Sequence, residues 1–322
     1  MNGSQVLIDT DPGIDDAMAL LFLRAAPGLR IRGITTVFGN ADVETTTRNA
    51  VYIARRFGID APVFGGAARP LNIERLAAPV HVHGSDGLGD LATTSTEMDA
   101  PGTGRAHERI VEVIRTFPNE VSILALGPLT NLALALRHDP GIAALVPRVV
   151  IMGGAFGWRG PRGNISPVAE ANIRNDPHAA NEVLSARWPV TMVGLDVTSQ
   201  CVLSTEQARS LASDAAQTGQ FLWDISRHYE ALYRAHGGLE GCCLHDVAAA
   251  ACLLDPRLFA TRFGPIRVRT DGAAIGQTIQ HPGGAPHLPP AWENVPPQRA
   301  CNDVDAERLI RMYTTTLISH AR

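Results

Sequence analysis

The apolar positions of the chain form short runs rich in β-branched residues, and longer segments with helical periodicity separate these runs. Short β-branched runs bounded by Gly, Pro, Asn or Asp are typical of strands, whereas longer periodic segments are typical of helices. The predicted strands are residues 5–8, 29–37, 62–64, 121–126, 149–152, 190–195, 266–270 and 274–279. The predicted helices are residues 17–23, 43–57, 106–117, a helix that ends near residue 136, 177–186, 204–211, 217–235, 247–254 and 303–319, the last with Asp303 as its N-cap.

Strands and helices alternate from the N-terminus to residue 195. This order predicts an α/β fold with a doubly wound, mostly parallel sheet flanked by helices and with right-handed crossovers. No internal repeat or clean linker divides the sequence, so we expect a single domain over residues 1–322. The ligand crevice of such a sheet lies beyond the carboxyl ends of its strands. The residues predicted at these ends are Asp11, Asn40, Leu126 and Met152.

Residues 9–17, here called the acidic loop, read DTDPGIDDA between two apolar runs. The loop holds four aspartates, and an unpaired buried carboxylate costs several kcal/mol of lost hydration. The first turn of the next helix offsets only part of this charge, because its dipole amounts to about half a unit charge. A hard cation such as Ca²⁺ or Mg²⁺ would neutralise it, since carboxylate oxygens are its preferred ligands. The alternative is an acidic helix cap on a solvated loop.

Composition limits the classes of partner. Hydrophobic residues make up 45% of the chain and charged residues 19%, as in soluble globular proteins. The net charge of −4 leaves no basic surplus for nucleic acid or an anionic membrane, so neither is an expected partner. No apolar run is long enough to span a bilayer, the first residues do not resemble a signal peptide, and the five cysteines follow no disulfide or zinc spacing. These features favour a cytoplasmic protein.

The acidic loop resembles the N-terminal motif of the inosine-uridine preferring nucleoside hydrolases. Other motifs of that family follow in the same order: FGN at 38–40, HGSDGL at 83–88, LGPLTN at 126–131, MGG at 152–154, EAN at 170–172 and LHD at 244–246. The resemblance covers nearly the whole chain. It implies a Ca²⁺-dependent enzyme of α/β fold that hydrolyses purine and/or pyrimidine ribonucleosides to free base and ribose. It also implies a homodimer or homotetramer.

The same resemblance implies a ligand set for the ion. The calcium ligands would be Asp11, Asp16, Asp246 and the backbone carbonyl of Leu126. Two ribose hydroxyls and a water can complete the oxygen shell that Ca²⁺ prefers. Asp11 would also act as the general base on the Ca²⁺-bound water that attacks the anomeric carbon.

Further positions match side chains that bind the substrate. Asp15 would hold the ribose 2′-hydroxyl and Glu170 the 5′-hydroxyl. His245 matches the acid that protonates the departing base, and an imidazole that titrates near neutrality suits this role. The substrate-binding residues that the resemblance implies are Asp15, Asn40, His83, Met152, Asn164, Glu170 and Asn172.

Two residues depart from the family pattern and bear on nucleobase preference. Ala171 stands where many relatives have Phe, and Val247 stands where many have Pro. Loss of an aromatic wall would cost on the order of 1 kcal/mol of contact and widen the pocket. Tyr229 and Tyr233, one helical turn apart, are interpreted as packing residues. The aromatic residues that could instead replace the missing wall are Trp158, Tyr229, Tyr233 and Trp292.

Two other functions fit part of the pattern. A Mg²⁺-dependent phosphatase or phosphotransferase would use the pair Asp9 and Asp11 at a strand end, but the chain lacks a matched basic phosphate loop. A non-catalytic nucleoside or ribose binding protein would need the pocket but would not need Asp11 as a general base. Release of phosphate from nucleotides would favour the first alternative, and nucleoside binding without turnover would favour the second.

Overall fold

The computed structural model describes residues 4–91, 105–282 and 289–321. The strands are β1 (Ser4–Thr10), β2 (Leu29–Thr36), β3 (Val63–Gly65), β4 (Val121–Ala125), β5 (Val149–Met152), β6 (Val190–Val193), β7 (Val202–Ser204), β8 (Gly241–Cys243), β9 (Phe259–Val268), β10 (Thr278–Gln280) and β11 (Pro297–Val304). The helices are α1 (Ile14–Ala25), α2 (Val43–Phe57), α3 (Val80–His83), α4 (Ala106–Thr116), α5 (Thr130–His138), α6 (Ala171–Asn175), α7 (Pro177–Ser185), α8 (Leu195–Thr198), α9 (Thr205–Asp214), α10 (Ala216–Gly237), α11 (His245–Leu254) and α12 (Ala306–Ala321), with 3-10 turns at Pro140–Leu145, Pro256–Leu258 and Pro290–Trp292. Parts of the segments 65–101 and 281–299, and the ends of the domain predicted over 1–322, lie outside the described residues.

The larger sheet has the strand order β10-β9-β11-β6-β5-β4-β1-β2-β3 in the described part of the chain. The strands from β11 to β3 in this order pair in parallel, whereas β9 and β10 are antiparallel at one edge. Helices cover both faces, and a separate hydrophobic core lies on each face. The predicted doubly wound, mostly parallel sheet is therefore confirmed.

Helix α1 is apolar on nearly all sides because it is enclosed on nearly all sides. It contacts α10, α11 and α12, and all of its residues except Arg24 are buried. Helix α2 is amphipathic in comparison and has clear ends. Asp42 caps its first turn by accepting from the Thr45 amide at 2.8 Å, and Gly58 ends it in a left-handed conformation (φ 66°). These two helices follow β1 and β2, so they fix the loops at the carboxyl ends of both strands.

The structure corrects two predictions near the C-terminus. Asp303 is not a helix cap but part of β11, and Asp305 caps α12 by accepting from the Arg308 amide at 3.0 Å. Strand β11 extends this far because β9 pairs with it as far as Val304, which outweighs the local preference of Asp for a helix start. The strand predicted over 274–279 is mostly a turn closed by the Gly276 amide on the Arg269 carbonyl, and β10 is short. The apolar helix over 247–254 begins with His245 and Asp246, which the sequence places at its start.

No helix in the described ranges combines the length and the apolar character that crossing a membrane would require.

Candidate active site

The predicted site residues meet at the carboxyl ends of β1, β2, β4 and β5, as expected from the parallel sheet. They surround a cavity of about 150 Å³. Asp11 and Asp16 lie buried beneath it. The other predicted site residues line its wall: Asp15, Asn40, His83, Leu126, Met152, Asn164, Glu170, Asn172, His245 and Asp246.

The acidic loop is held in place by its own first helical turn. One carboxylate oxygen of Asp16 accepts from the Thr10 hydroxyl and from the Asp11 amide, the latter at 3.2 Å. The other accepts from the Gly13 amide at 3.0 Å, so Asp16 reaches back to the cap of α1. The Asn40 side-chain amide donates to this second oxygen at 3.0 Å, which ties the loop after β2 to the loop after β1.

Asp11 lies in a tight cradle of backbone. Its Oδ2 accepts from the Asn40 amide at 2.8 Å, whereas its Oδ1 is buried and has no hydrogen-bond partner among the described residues. A Cβ atom added at Gly39 would lie 2.0 Å from the first oxygen, and one added at Gly127 would lie 2.5 Å from the second. The carboxylate therefore fits only because glycine stands on both sides of it.

The carboxylates form a site that suits a cation. Oxygens of Asp15, Asp16 and Asp246 lie within 4.8 Å of one another, and all three residues are buried. Burial, reinforced by the Asp16 charge, raises the pKa of Asp15 to about 8. Burial and the neighbouring carboxylates raise the pKa values of Asp246 and Asp11 well above their ordinary range. Asp15 Oδ1 is another buried oxygen without a partner in the described part of the chain. The donor set consists of hard oxygens, so it fits a divalent ion such as Ca²⁺ or Mg²⁺.

This geometric cluster overlaps the predicted ligand set without matching it fully. Asp16 and Asp246 belong to both, but the cluster contains Asp15 where the sequence predicts Asp11. Asp11 is close enough that its charge contributes to the raised pKa of Asp246. The Leu126 carbonyl, the fourth predicted ligand, accepts from the side-chain Nδ2 of Asn172 at 2.6 Å and has a second lone pair available.

The predicted ribose-binding residues are connected through the loop before α6. Glu170 caps this helix: its Oε1 accepts from the Asn172 amide at 2.8 Å, and its Oε2 accepts from the Gly154 and Ile173 amides. Burial raises the pKa of Glu170 despite these bonds. Asn164 Oδ1 accepts from the Ala171 amide at 2.9 Å. The free lone pair on Glu170 Oε1 leaves room for one more donor, such as a hydroxyl.

The two histidines differ in how they are held. His83 Nδ1 accepts from the Ile14 amide at 3.2 Å, and burial together with nearby imidazoles lowers its pKa to about 3. His245 is held between the Thr198 hydroxyl at 2.7 Å and the Tyr233 hydroxyl at 2.8 Å, and burial lowers its pKa to about 4. Both rings are therefore mainly neutral at pH 7, and the expectation that His245 titrates near neutrality is corrected by its burial.

Tyr229 and Tyr233 pack in and against the hydrophobic core, as interpreted from the sequence, and they also contact the site. Tyr229 lines the cavity, its ring packs edge-on against Tyr233 at 4.9 Å, and their hydroxyls are 3.4 Å apart. Tyr233 in turn contacts His245. Their spacing of four residues on α10 was the available signal, but the sequence did not show which way that helix faces.

The other aromatic candidates pack elsewhere. Trp158 stacks on Phe156 at 4.5 Å and lies under the Arg262 guanidinium. Trp292 packs beside His281 at 5.7 Å. Ala171 lines the cavity, as expected for a residue at the position of a missing aromatic wall.

The chain is similar to known proteins over most of its length. The sequence model described as "Inosine-uridine preferring nucleoside hydrolase" matches residues 6–311. The chain is 41% identical to "Probable uridine nucleosidase 1" of Oryza sativa subsp. japonica, over 87% of this chain and 85% of that protein. It is 38% identical to "Non-specific ribonucleoside hydrolase RihC" of Salmonella agona, over 85% of this chain and 86% of that protein.

Solved structures with the same architecture have related titles. A structure titled "Plant nucleoside hydrolase - PpNRh1 enzyme" superposes with a TM-score of 0.92 at 35% identity, over 98% of this chain and 99% of that one. A "Purine-Preferring Ribonucleoside Hydrolase from Gardnerella vaginalis" superposes with a TM-score of 0.89 at 28% identity, over 99% of both chains.

Proposed function

Because the chain belongs to the inosine-uridine preferring nucleoside hydrolase family, it is an enzyme that hydrolyses ribonucleosides, and we propose that it acts on uridine and inosine with Ca²⁺ as its metal. The relatives named uridine nucleosidase and non-specific ribonucleoside hydrolase support both substrates. The phosphatase and the non-catalytic binding protein, which fitted part of the sequence pattern, do not fit this family.

The observation that carries the metal proposal is the group of buried carboxylates under the cavity, with unpartnered oxygens on Asp11 and Asp15 in the described chain. Asp11, Asp16, Asp246 and the Leu126 carbonyl are the proposed ligands, and Asp15 is near enough to join them or to hold the ribose 2′-hydroxyl. When bound, Ca²⁺ supplies the positive charge that orients the ribose hydroxyls and the attacking water.

Asp11 is the proposed general base. Its Oδ1 has no donor nearby in the described residues, whereas its Oδ2 is fixed by the Asn40 amide, so the free oxygen can take a proton from water. The water then attacks the anomeric carbon as the glycosidic bond breaks. Surrounding carboxylates stabilise the positive charge that develops on the ribose.

The remaining polar residues at the wall bind the sugar in this proposal. Asn40, Asn164 and Asn172 present amides, and Glu170 presents a carboxylate whose Oε1 can accept from the 5′-hydroxyl. Met152 forms the apolar floor under the ribose. These groups would favour ribonucleosides over deoxyribonucleosides, because removal of a hydroxyl leaves buried polar groups unpaired.

We propose two routes for stabilising the leaving base. Since the Ile14 amide donates to His83 Nδ1, the neutral ring carries its hydrogen on Nε2 and can donate to a pyrimidine carbonyl. For a purine, the minor protonated form of His245 passes its proton through the Tyr233 and Tyr229 hydroxyls to the base; the base leaves neutral, and His245 returns to the neutral form that predominates at pH 7.

The test is steady-state kinetics with uridine, inosine and the corresponding 5′-monophosphates, with base release followed by chromatography and metal content measured on the purified protein. We expect base and ribose from both nucleosides and loss of turnover after exhaustive chelation, restored by Ca²⁺. Full activity without metal would refute the metal proposal. Release of phosphate without base would refute the substrate proposal.

The domain organisation, the oligomeric state and the cellular location are also proposals. A single domain is supported by one family match that spans both halves of the sheet. A homodimer or homotetramer follows from the family resemblance, and sedimentation analysis would test it. A cytoplasmic location is supported by five cysteines that are all free and buried, and microscopy of a tagged chain would test it.

A further inference from the structure

Asn49 lies outside the active-site cavity, yet its side chain touches both loops that carry reactive groups. It is fully buried on α2, and its Nδ2 donates to the Pro12 carbonyl at 3.0 Å and to the Asp86 carbonyl at 2.9 Å. Pro12 belongs to the acidic loop. Asp86 belongs to residues 83–90, here called the histidine loop, which begins with His83. One amide group therefore joins the two loops.

The histidine loop is rigid around this contact. Asp86 Oδ1 accepts from the Leu88 and Asp90 amides at 2.7 and 2.9 Å, and the Gly89 amide donates to the His83 carbonyl at 2.8 Å. A shift of the Asp86 carbonyl would therefore move the backbone of His83. The His83 ring has its own link to the acidic loop through the Ile14 amide.

The space around the Asn49 side chain is also restricted. A Cβ atom added at Gly87 would lie 2.8 Å from Asn49 Nδ2 and 3.3 Å from the Pro12 carbonyl. Asn49 Oδ1 is buried without a partner among the described residues, so the side chain contributes here through its two N–H donors. Two donors aimed at one carbonyl from each loop fix the distance between the loops.

We propose that Asn49 is a positioning residue that fixes the location of His83 relative to the acidic loop. The leaving base and the ribose are thereby held in one productive geometry. This inference rests on the proposed function. The acidic loop holds the ribose and the attacking water, and His83 faces the base. Asn49 touches neither, but a displacement of about 1 Å between the loops can cost on the order of 100-fold in rate.

The test compares Asn49→Leu, which keeps the branched shape of the side chain but replaces the amide by methyl groups and so removes both donors, with Thr47→Val as its matched control. Thr47 is fully buried on the same helix, and its hydroxyl bonds to the Thr36 hydroxyl and the Val43 carbonyl, so its removal touches neither loop. Asn49→Ser, which retains a hydroxyl donor, is measured beside them. For each protein, kcat and KM are determined with uridine and with p-nitrophenyl riboside, together with Tm and Ca²⁺ affinity by calorimetry.

We expect Asn49→Leu to lower kcat/KM for uridine roughly 10- to 100-fold. The fall with p-nitrophenyl riboside should be less than about threefold, because that leaving group departs without stabilisation by His83. Asn49→Ser should recover part of the loss, and Thr47→Val should affect both substrates equally.

Equal losses on both substrates for Asn49→Leu would overturn the proposal. So would failure of both Asn49 variants to fold where Thr47→Val folds, because the residue would then be merely structural. If the wild type releases no base from uridine, the proposed function itself has failed. Activity of the wild type without a difference between the two substrates in Asn49→Leu would overturn only the role of Asn49.

Discussion

Removal of the metal should make the protein less stable as pH rises, and the carboxylate spacing gives the size of the effect. Two unit charges no more than 4.8 Å apart repel by at least about 3.5 kcal/mol at an effective dielectric of about 20. Three ionised residues, Asp15, Asp16 and Asp246, would therefore accumulate about 10 kcal/mol of repulsion, which is comparable to the whole stability of a typical domain. The ion-free protein must hold protons on this cluster at neutral pH.

The direction of the pH dependence follows from the raised pKa values. Burial, then the Asp16 charge, raises the pKa of Asp15 to about 8, from an ordinary value of 3.8 that applies in the unfolded chain. Between these values the ion-free folded protein binds protons that the unfolded chain has released, so its stability falls as pH rises. Bound Ca²⁺ replaces those protons and should remove most of this dependence.

The assay is thermal unfolding with excess EGTA or excess Ca²⁺ from about pH 5.5 to about pH 8.5. We expect the Tm difference between the two conditions to grow by roughly 5–10 °C over this range, since a few kcal/mol corresponds to that shift in a domain of this size. Calorimetry in buffers of different ionisation enthalpy should show protons released on Ca²⁺ binding. Equal Tm values with and without Ca²⁺ at the upper pH, or an ion-free protein that becomes more stable with rising pH, would refute the reasoning.

Three substitutions test the proposed catalytic groups. Asp11→Ala should lower kcat for uridine by at least about 10²–10⁴, the range for loss of a general base, and near wild-type base release by chromatography would exclude that role. His245→Ala should lower kcat for inosine by roughly 10²–10⁴ with a smaller effect on KM. The kcat for p-nitrophenyl riboside should change little, because its leaving group needs no proton. An equally large loss of kcat on this substrate would show that His245 is not the acid. Tyr233→Phe should lower kcat for inosine by a similar factor, roughly 10²–10⁴, because it interrupts the proton path from His245 to the base. The kcat for uridine should change little, because His83 is unaffected, and equal effects on the two substrates in parallel assays would contradict a relay.

The parts of the site that the sequence predicted are local or follow from parallel-sheet geometry. The acidic loop is continuous in sequence, and parallel strands bring Asn40, Leu126 and Met152 to the same edge whatever the details of packing. The family motifs then placed Asp246 and His245 in the same pocket. These inferences need no knowledge of how individual helices are rotated.

The parts that the sequence missed depend on packing between distant segments. Tyr233 meets His245 only because α10 presents one face to α11, and spacing along α10 cannot reveal that face. Asn49 likewise meets Asp86 across 37 positions, through a hydrogen bond that leaves no local pattern. Asp303 was assigned to a helix start because the pairing of this end of β11 with β9 does not show in local sequence preference.

The glycines on either side of Asp11 have a consequence for how this enzyme can change. Neither Gly39 nor Gly127 has a side chain that could reach a substrate, yet at each position even one methyl group would collide with the Asp11 carboxylate. In a mutational library both positions should be as intolerant of substitution as Asp11 itself. Selection for new substrates must therefore change residues that line the pocket, such as Ala171, while the backbone around Asp11 stays unchanged.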